Sequence, residues 1–171
     1  SISEKLGFYH VGIFLLDENR EYAVLRAANS QGGQRMFERH HQLKVGGTGI
    51  VGYVSQGGRP RIALDTGSDA VFFNNPDLPK TRSEMALPLK YGTKVIGVLD
   101  VQSTLPSAFK DEDANLLSTL ANHIAIVITT ILANERAEFG LSSQKTNKRG
   151  EKLKNQQMQS GYSYLPDGTI S

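Results

Sequence analysis

Two pairs of strand-like runs, each pair joined by a short polar turn, precede one long segment whose apolar residues recur every seven positions. Residues 9–16 (YHVGIFLL) and 22–28 (YAVLRAA) flank the cluster Asp17, Glu18, Asn19, Arg20 and Glu21. Residues 84–90 and 94–102 flank Tyr91, Gly92 and Thr93. Runs rich in β-branched and aromatic residues, ended by turn formers, read as hairpins. From 111 to 139, Leu117, Ile124 and Ile131 mark a helical repeat, with Leu120, Ala121, Val127 and Ile128 on the same side. Strands grouped ahead of a helix leave an α+β fold and exclude the strict alternation of a parallel α/β sheet.

The connections refine this. Residues 40–45 alternate polar and apolar and predict a third strand or an extended connector; residues 48–56, between glycines, predict a short helix, and 61–64 a short strand. Residues 65–82 (DTGSDAVFFNNPDLPKTR) hold Gly67, Pro76 and Pro79 with few large apolar groups. A connection longer than about 12 residues within a domain is uncommon and often functional, so this loop is a binding candidate. After Gly140 the chain turns polar and basic, with Lys145, Lys148, Arg149, Lys152 and Lys154 against Glu151 and Asp167. One domain over 1–139 is therefore expected, with 140–171 a linker or tail that continues helical or packs on a neighbour and carries a small hairpin at 162–171.

Composition removes whole classes of function. A chain with no cysteine has no disulfide, thiolate nucleophile, thioether-linked cofactor or Cys-ligated metal of its own. A net charge of +2, with basic residues not interleaved with aromatics, gives no nucleic-acid footprint. The longest apolar stretch, residues 124–133, is interrupted by Thr129 and Thr130 and falls short of the roughly 20 residues of a membrane span. The opening residues carry no leader pattern, so a piece of a longer, cytoplasmic protein is expected. His10, His40, His41 and His123 lack metal-ligand spacing, and no G-x-S-x-G turn presents a nucleophile. Gly47, Gly49 and Gly52 spell G-x-G-x-x-G, with Asp65 or Asp69 beyond. The helix they could open ends by Gly57, too short for a dinucleotide-binding crossover, so no cofactor is expected and the glycines serve a tight turn.

The ordered segments 7–17 (GFYHVGIFLLD), 47–54 (GTGIVGYV), 82–89 (RSEMALPL), 95–103 (VIGVLDVQS) and 108–113 (AFKDED) resemble the GAF family across residues 5–139. The resemblance implies a PAS-like antiparallel sheet of five or six strands. Terminal helices pack on one face, and a ligand pocket lies on the other beneath irregular loops. It further implies a small-molecule-sensing regulatory module of a signal-transduction protein, of the sensor histidine kinase and two-component type, and not an enzyme. One GAF branch, the free methionine sulfoxide reductases, is similar in the S-E and V-L-D-V-Q-S strands, where it grips an amine with carboxylates. Glu84 and Asp100 match two of those acids and Gln102 replaces a third, while the cysteines are missing.

The expected pocket lies between the sheet and loop 65–82. Phe72 and Phe73 wall it, and Tyr53, Asp69, Arg82, Glu84 and Asp100 supply polar groups. Two features stay open at this level. Phe72 and Phe73 serve either as walls or as pins holding the loop to the core. Glu84 and Asp100 fall on opposite sheet faces if Gly92 and Thr93 form a two-residue turn, and on one face if Tyr91 joins a three-residue loop. Because the 111–139 helix is apolar over more surface than one sheet covers, a homodimer through it is expected. The alternatives are a dimerisation module with a vestigial pocket and a cysteine-free enzyme, such as a hydrolase, using carboxylates.

Overall fold

A computed structural model describes residues 7–69, 72 and 74–160. Its centre is one antiparallel sheet of β1 (His10–Leu16), β2 (Tyr22–Ala28), β3 (Gln42–Lys44), β4 (Arg61–Ala63), β5 (Ser83–Tyr91) and β6 (Lys94–Ser103). The strand order is β3-β2-β1-β6-β5-β4. Helices α1 (Gln31–Glu38), α2 (Ile50–Gly57) and α3 (Asp111–Ser160) complete the expected α+β arrangement. The first hairpin closes on Asp17, whose Oδ1 accepts the backbone N–H groups of Glu21 and Tyr22 at 2.8 and 3.1 Å.

The second hairpin resolves the question of faces in an unforeseen way. Tyr91 pairs with Lys94 across a two-residue turn, with Gly92 at φ 61, as a type II′ turn requires at its first central position. Leu89, however, pairs with Gly97, so Ile96 is one residue extra in β6. This bulge reverses the facing of everything beyond it. Glu84 then opposes Gln102 and Ala86 opposes Asp100, which puts Glu84, Asp100 and Gln102 on one face. Both turn counts weighed from sequence assumed an unbroken ladder.

That face also carries Phe14, Ala86 and Val98, buried with Met36 of α1, Ile50, Val51 and Val54 of α2, and Leu78. Helix α1 shows no helical pattern in the sequence, because two glycines follow its N-cap Ser30 within the first turn. Gly32 is needed there because a Cβ would meet the Asp77 carbonyl oxygen at 2.1 Å. The opposite face buries Met85, Leu87, Leu89, Leu99 and Val101. The described helical surface left to cover it is the first part of α3, where Leu117, Ala121 and Ala125 form a buried stripe at helical spacing. Buried on both faces, β5 and β6 read as nearly continuous apolar runs. At the start of α3 the Lys110 N–H donates to Asp113 Oδ2 at 2.8 Å, so an acid in the first turn supplies what the Lys side chain does not.

The chain divides between Val127 and Ile128. Within the first unit α3 exposes Leu116, Leu120, His123, Ile126 and Val127. In the second, the helix continues past Gly140 to Ser160 and exposes Ile131, Leu132, Phe139, Leu141 and Leu153. The recurrence of Leu117, Ile124 and Ile131 is thus not one surface: Leu117 is buried, Ile124 half-buried and Ile131 exposed. By length and composition α3 includes a stretch of mean hydropathy 1.8, apolar enough to cross a membrane. Counting uninterrupted apolar residues misses it, because Ala and Thr lower the average little. The expected hairpin at 162–171 lies outside the described residues.

Candidate ligand pocket

Between the sheet and the segments over it lies a small cavity, partly open to solvent. Phe14, Met36, Leu43, Ile50 and Val51 make its apolar wall, and His41, Asn75, Glu84, Asp100 and Gln102 supply polar groups. Apolar walls with a few placed polar groups are usual for small-ligand sites.

The polar side is ordered from both ends. Thr81 Oγ1 donates to Gln102 Oε1 at 2.5 Å, which turns the amide so that Gln102 Nε2 donates to Asp100 Oδ2 at 2.7 Å. Behind Asp100 stands His10, fully buried, its Nδ1 2.7 Å from Ser30 Oγ. Ser30 Oγ already accepts the Gly33 N–H at 2.9 Å as the N-cap of α1. One hydroxyl thus joins the cap of α1 to the His10 imidazole. Nε2 lies 3.9 Å from Asp100 Oδ2, beyond hydrogen-bond reach. His10 Nε2 and Asp100 Oδ1 are both buried without a partner.

The ionisation states follow from burial and charge. Desolvation, followed by the Asp100 charge, the hydrogen bond to Asp100 and the more distant Asp69, pushes the Glu84 carboxyl well above the ordinary carboxylate range. Burial lowers His10 and outweighs the pull of Asp100. His41 is lowered by burial first and then by Arg39, against Asp77 and Asp100. The site thus brings two buried carboxyls into one cavity, with neutral imidazoles nearby. Among the described residues no Lys or Arg lines the cavity.

Of the residues expected from sequence, the fold brings Glu84 and Asp100 into the cavity. Tyr53 does not line it: it projects from the outer side of α2, 48% exposed, with the Arg61 guanidinium 5.0 Å from its ring centroid. Asp69 is drawn away into an ion pair with Arg61 at 3.0 Å. Arg82 is exposed, 3.8 Å from Asp65, because the backbone N–H it gives to Ser103 sets it just ahead of β5 with its side chain outward. Phe72 is half-buried against the core, and Phe73 lies outside the described residues. Loop 65–82 reaches the cavity through Asn75, whose Nδ2 is 3.4 Å from Met36 Sδ. The inward residues missed, Phe14 and Gln102, follow the period of two from Asp100 on paired strands. Met36, His41 and Asn75 depend on α1 and on the path of the loop, which no local pattern shows. Among the described residues no group of three or more His, Asp or Glu side chains is placed to hold a metal ion.

The profile of the GAF domain matches residues 1–129. No curated protein matches the chain. Among solved structures, the chain is similar to the GAF domain of a phosphoenolpyruvate-protein phosphotransferase from Coxiella burnetii. Identity is 25%, with a TM-score of 0.67 over 78% of this chain and 79% of that one. It is also similar in fold to the type II free methionine-R-sulfoxide reductase of Thermoplasma acidophilum (23%, TM-score 0.63, 74% and 84%). A third neighbour is the free methionine-R-sulfoxide reductase of Neisseria meningitidis in complex with its substrate (24%, TM-score 0.60, 70% and 66%). These reductases overturn the expectation that the chain is not an enzyme, since the same fold carries catalysis and the inference from family to non-enzyme fails. The neighbours lend no support to the sensor histidine kinase subtype. With its matched profile covering most of the sequence, its six-stranded sheet and its pocket beneath α1 and α2, this chain belongs to the GAF domain family.

Proposed function

We propose that this domain binds a small molecule through an ammonium or similar N–H-bearing cationic group. The cation sits against Glu84 and Asp100, and the apolar part of the ligand lies along Phe14, Met36 and Ile50. The observation that carries the reading is a buried carboxyl pair in a cavity that no described Lys or Arg lines; one oxygen of the pair, Asp100 Oδ1, has no partner. A buried acceptor of this kind costs roughly 1–3 kcal/mol until a donor reaches it, and a cation recovers more than a neutral donor. A thermal-shift screen with primary amines, amino acids, organic acids and cyclic nucleotides tests it. The expected result is stabilisation by amine-bearing members; stabilisation by organic acids alone would reject it.

The regulatory half of the proposal concerns α3. Leu116, Leu120 and Val127 lie exposed at spacings of four and seven on the unit that holds the pocket. Such a line supports pairing of two copies, and occupancy of the cavity would bias that pairing as the output of a cytoplasmic signalling protein. Sedimentation of the chain beside a Leu120→Asp, Val127→Asp variant checks this. Equal, monomeric behaviour of both at high concentration would remove the helix-seam output.

A second reading is favoured by the reductase neighbours and by the Glu84 carboxyl, raised by burial: the domain also acts on what it binds, with Glu84 as general acid. Thiol chemistry from this chain's own residues is unavailable. Turnover of an amine ligand found in the screen, lost in Glu84→Gln, would establish it.

A further inference from the structure

Glu84 and Asp100 sit diagonally across β5 and β6 on one face, and each is held by a fixed set of neighbours. Thr81 clamps the Gln102 amide, so Asp100 Oδ2 faces an N–H donor and must act as an acceptor. Both carboxyls are buried and line the same cavity, in which Asp100 Oδ1 has no partner. Of two buried acids in one cavity, the one that faces an N–H donor is the acceptor, so the proton falls to Glu84. The charged groups around the pair do not offset a second negative charge. From β4, Arg61 is committed to Asp69 of the following loop; from α1 and its C-cap, Arg35 and Arg39 are committed to Asp77. On β1, His10 is neutral and 3.9 Å away, and between α1 and β3 His41 is held neutral by burial. From α2, Tyr53 is the one titratable side chain, and it points outward.

We propose that the pocket trades one proton for its cationic ligand: Glu84 holds the proton against Asp100 in the unliganded protein and releases it to solvent when an ammonium group seats on both carboxyls. The exchange balances as one carboxylic acid and one ammonium ion giving one carboxylate–ammonium pair and one free proton, with no electron transfer. It rests on the reading of the cavity as an amine site and adds a consequence that reading does not require, a ligand affinity set by pH. Two carboxyls buried in one cavity disfavour each other's ionisation, whereas a cation within about 4–6 Å favours the charged form of each. The exchange also ranks ligands. A neutral isostere releases no proton and leaves Asp100 Oδ1 with at most a neutral donor.

Calorimetric titration with n-butylamine, benzylamine and L-norleucine, in two buffers of different ionisation enthalpy at one pH, reads the proton count directly. Release of about one proton per bound amine is expected, and affinity should rise about tenfold per pH unit while Glu84 remains protonated. Glu84→Gln should bind without release and with a flat pH profile. A ¹³C carboxyl titration of the wild type gives the same answer without substitution: the Glu84 signal moves to its carboxylate position on adding amine. Amine binding with no proton released and an unmoved Glu84 signal overturns the exchange alone. No binding of any of the three amines overturns both the amine-site reading and the exchange built on it.

Discussion

A methyl group added at Gly12 tests whether His10 is held as rigidly as its surroundings imply. A Cβ there would lie 2.9 Å from His10 Nε2, 3.4 Å from Leu25 Cδ1 and 3.5 Å from Phe14 Cε2. Only the first is closer than ordinary contact, by about half an ångström. The ring has nowhere to go. A Cβ at Gly33 would come within 2.9 Å of its Cε1, which marks how tightly that side is filled, and its Nδ1 is tied to Ser30 Oγ at 2.7 Å. Overpacking of this size costs about 1–3 kcal/mol. It is offset by about 0.4–1 kcal/mol from the stiffer unfolded chain, because position 12 lies in a strand where Ala is allowed. Gly12→Ala should therefore destabilise by about 1–2 kcal/mol in the wild type. In a His10→Ala background the obstacle is gone and the same change should be neutral or slightly stabilising, giving a coupling of about 1–3 kcal/mol. Urea unfolding of the four proteins, with m-values compared, measures this. A Gly12→Ala cost that is the same in both backgrounds would refute the reasoning.

Ser30→Ala removes both the cap on α1 and the partner of His10 Nδ1, and should cost about 1–2 kcal/mol by urea unfolding, with Ser30→Thr close to wild type. Glu84→Gln should change how stability depends on pH. Because the folded protein holds the Glu84 proton where the unfolded chain has lost it, wild-type stability falls as pH rises from about 4.5 through the raised value, by at most about 1.4 kcal/mol per unit. The variant lacks that fall, so the two curves should diverge with rising pH; parallel curves would mean that Glu84 is ionised in the fold. Lowered His10 and His41 act in the opposite sense in both proteins, removing stability as pH drops below 6.5.

Patterns of period two and of helical spacing carried most of this fold in the sequence itself. The runs at 9–16, 22–28, 84–90 and 94–102 became β1, β2, β5 and β6 because their β-branched, turn-bounded character agrees with the sheet that buries them. Helix α1 was hidden because Gly32 and Gly33 are chosen for contact with Asp77 and His10, at the expense of helix propensity. Glu84 and Asp100 were visible as a candidate pair whose common face stayed open, since their facing depends on the single extra residue at Ile96. Tyr53, Asp69 and Arg82 were plausible by charge and position, yet Arg61 claims the first two and the third points to solvent. Choices among exposed partners are made by tertiary geometry, on which local sequence is silent. His10 drew attention only as a histidine without ligand spacing. Its meaning comes from three elements, β1, α1 and β6, that the chain brings together from far apart.

The central claim is that the Glu84–Asp100 cavity recognises an ammonium group. The side-chain amide of Gln102, donating to Asp100 Oδ2 at 2.7 Å, is a reporter already in place. Titrating ¹⁵N-labelled protein with n-butylamine and separately with n-butanol, while following the Gln102 NH₂ resonances, separates charge from shape. The account predicts a saturable shift with the amine, little with the alcohol, and loss of the amine response in Asp100→Asn. Equal shifts from the two compounds, or an amine response unchanged by Asp100→Asn, would contradict it.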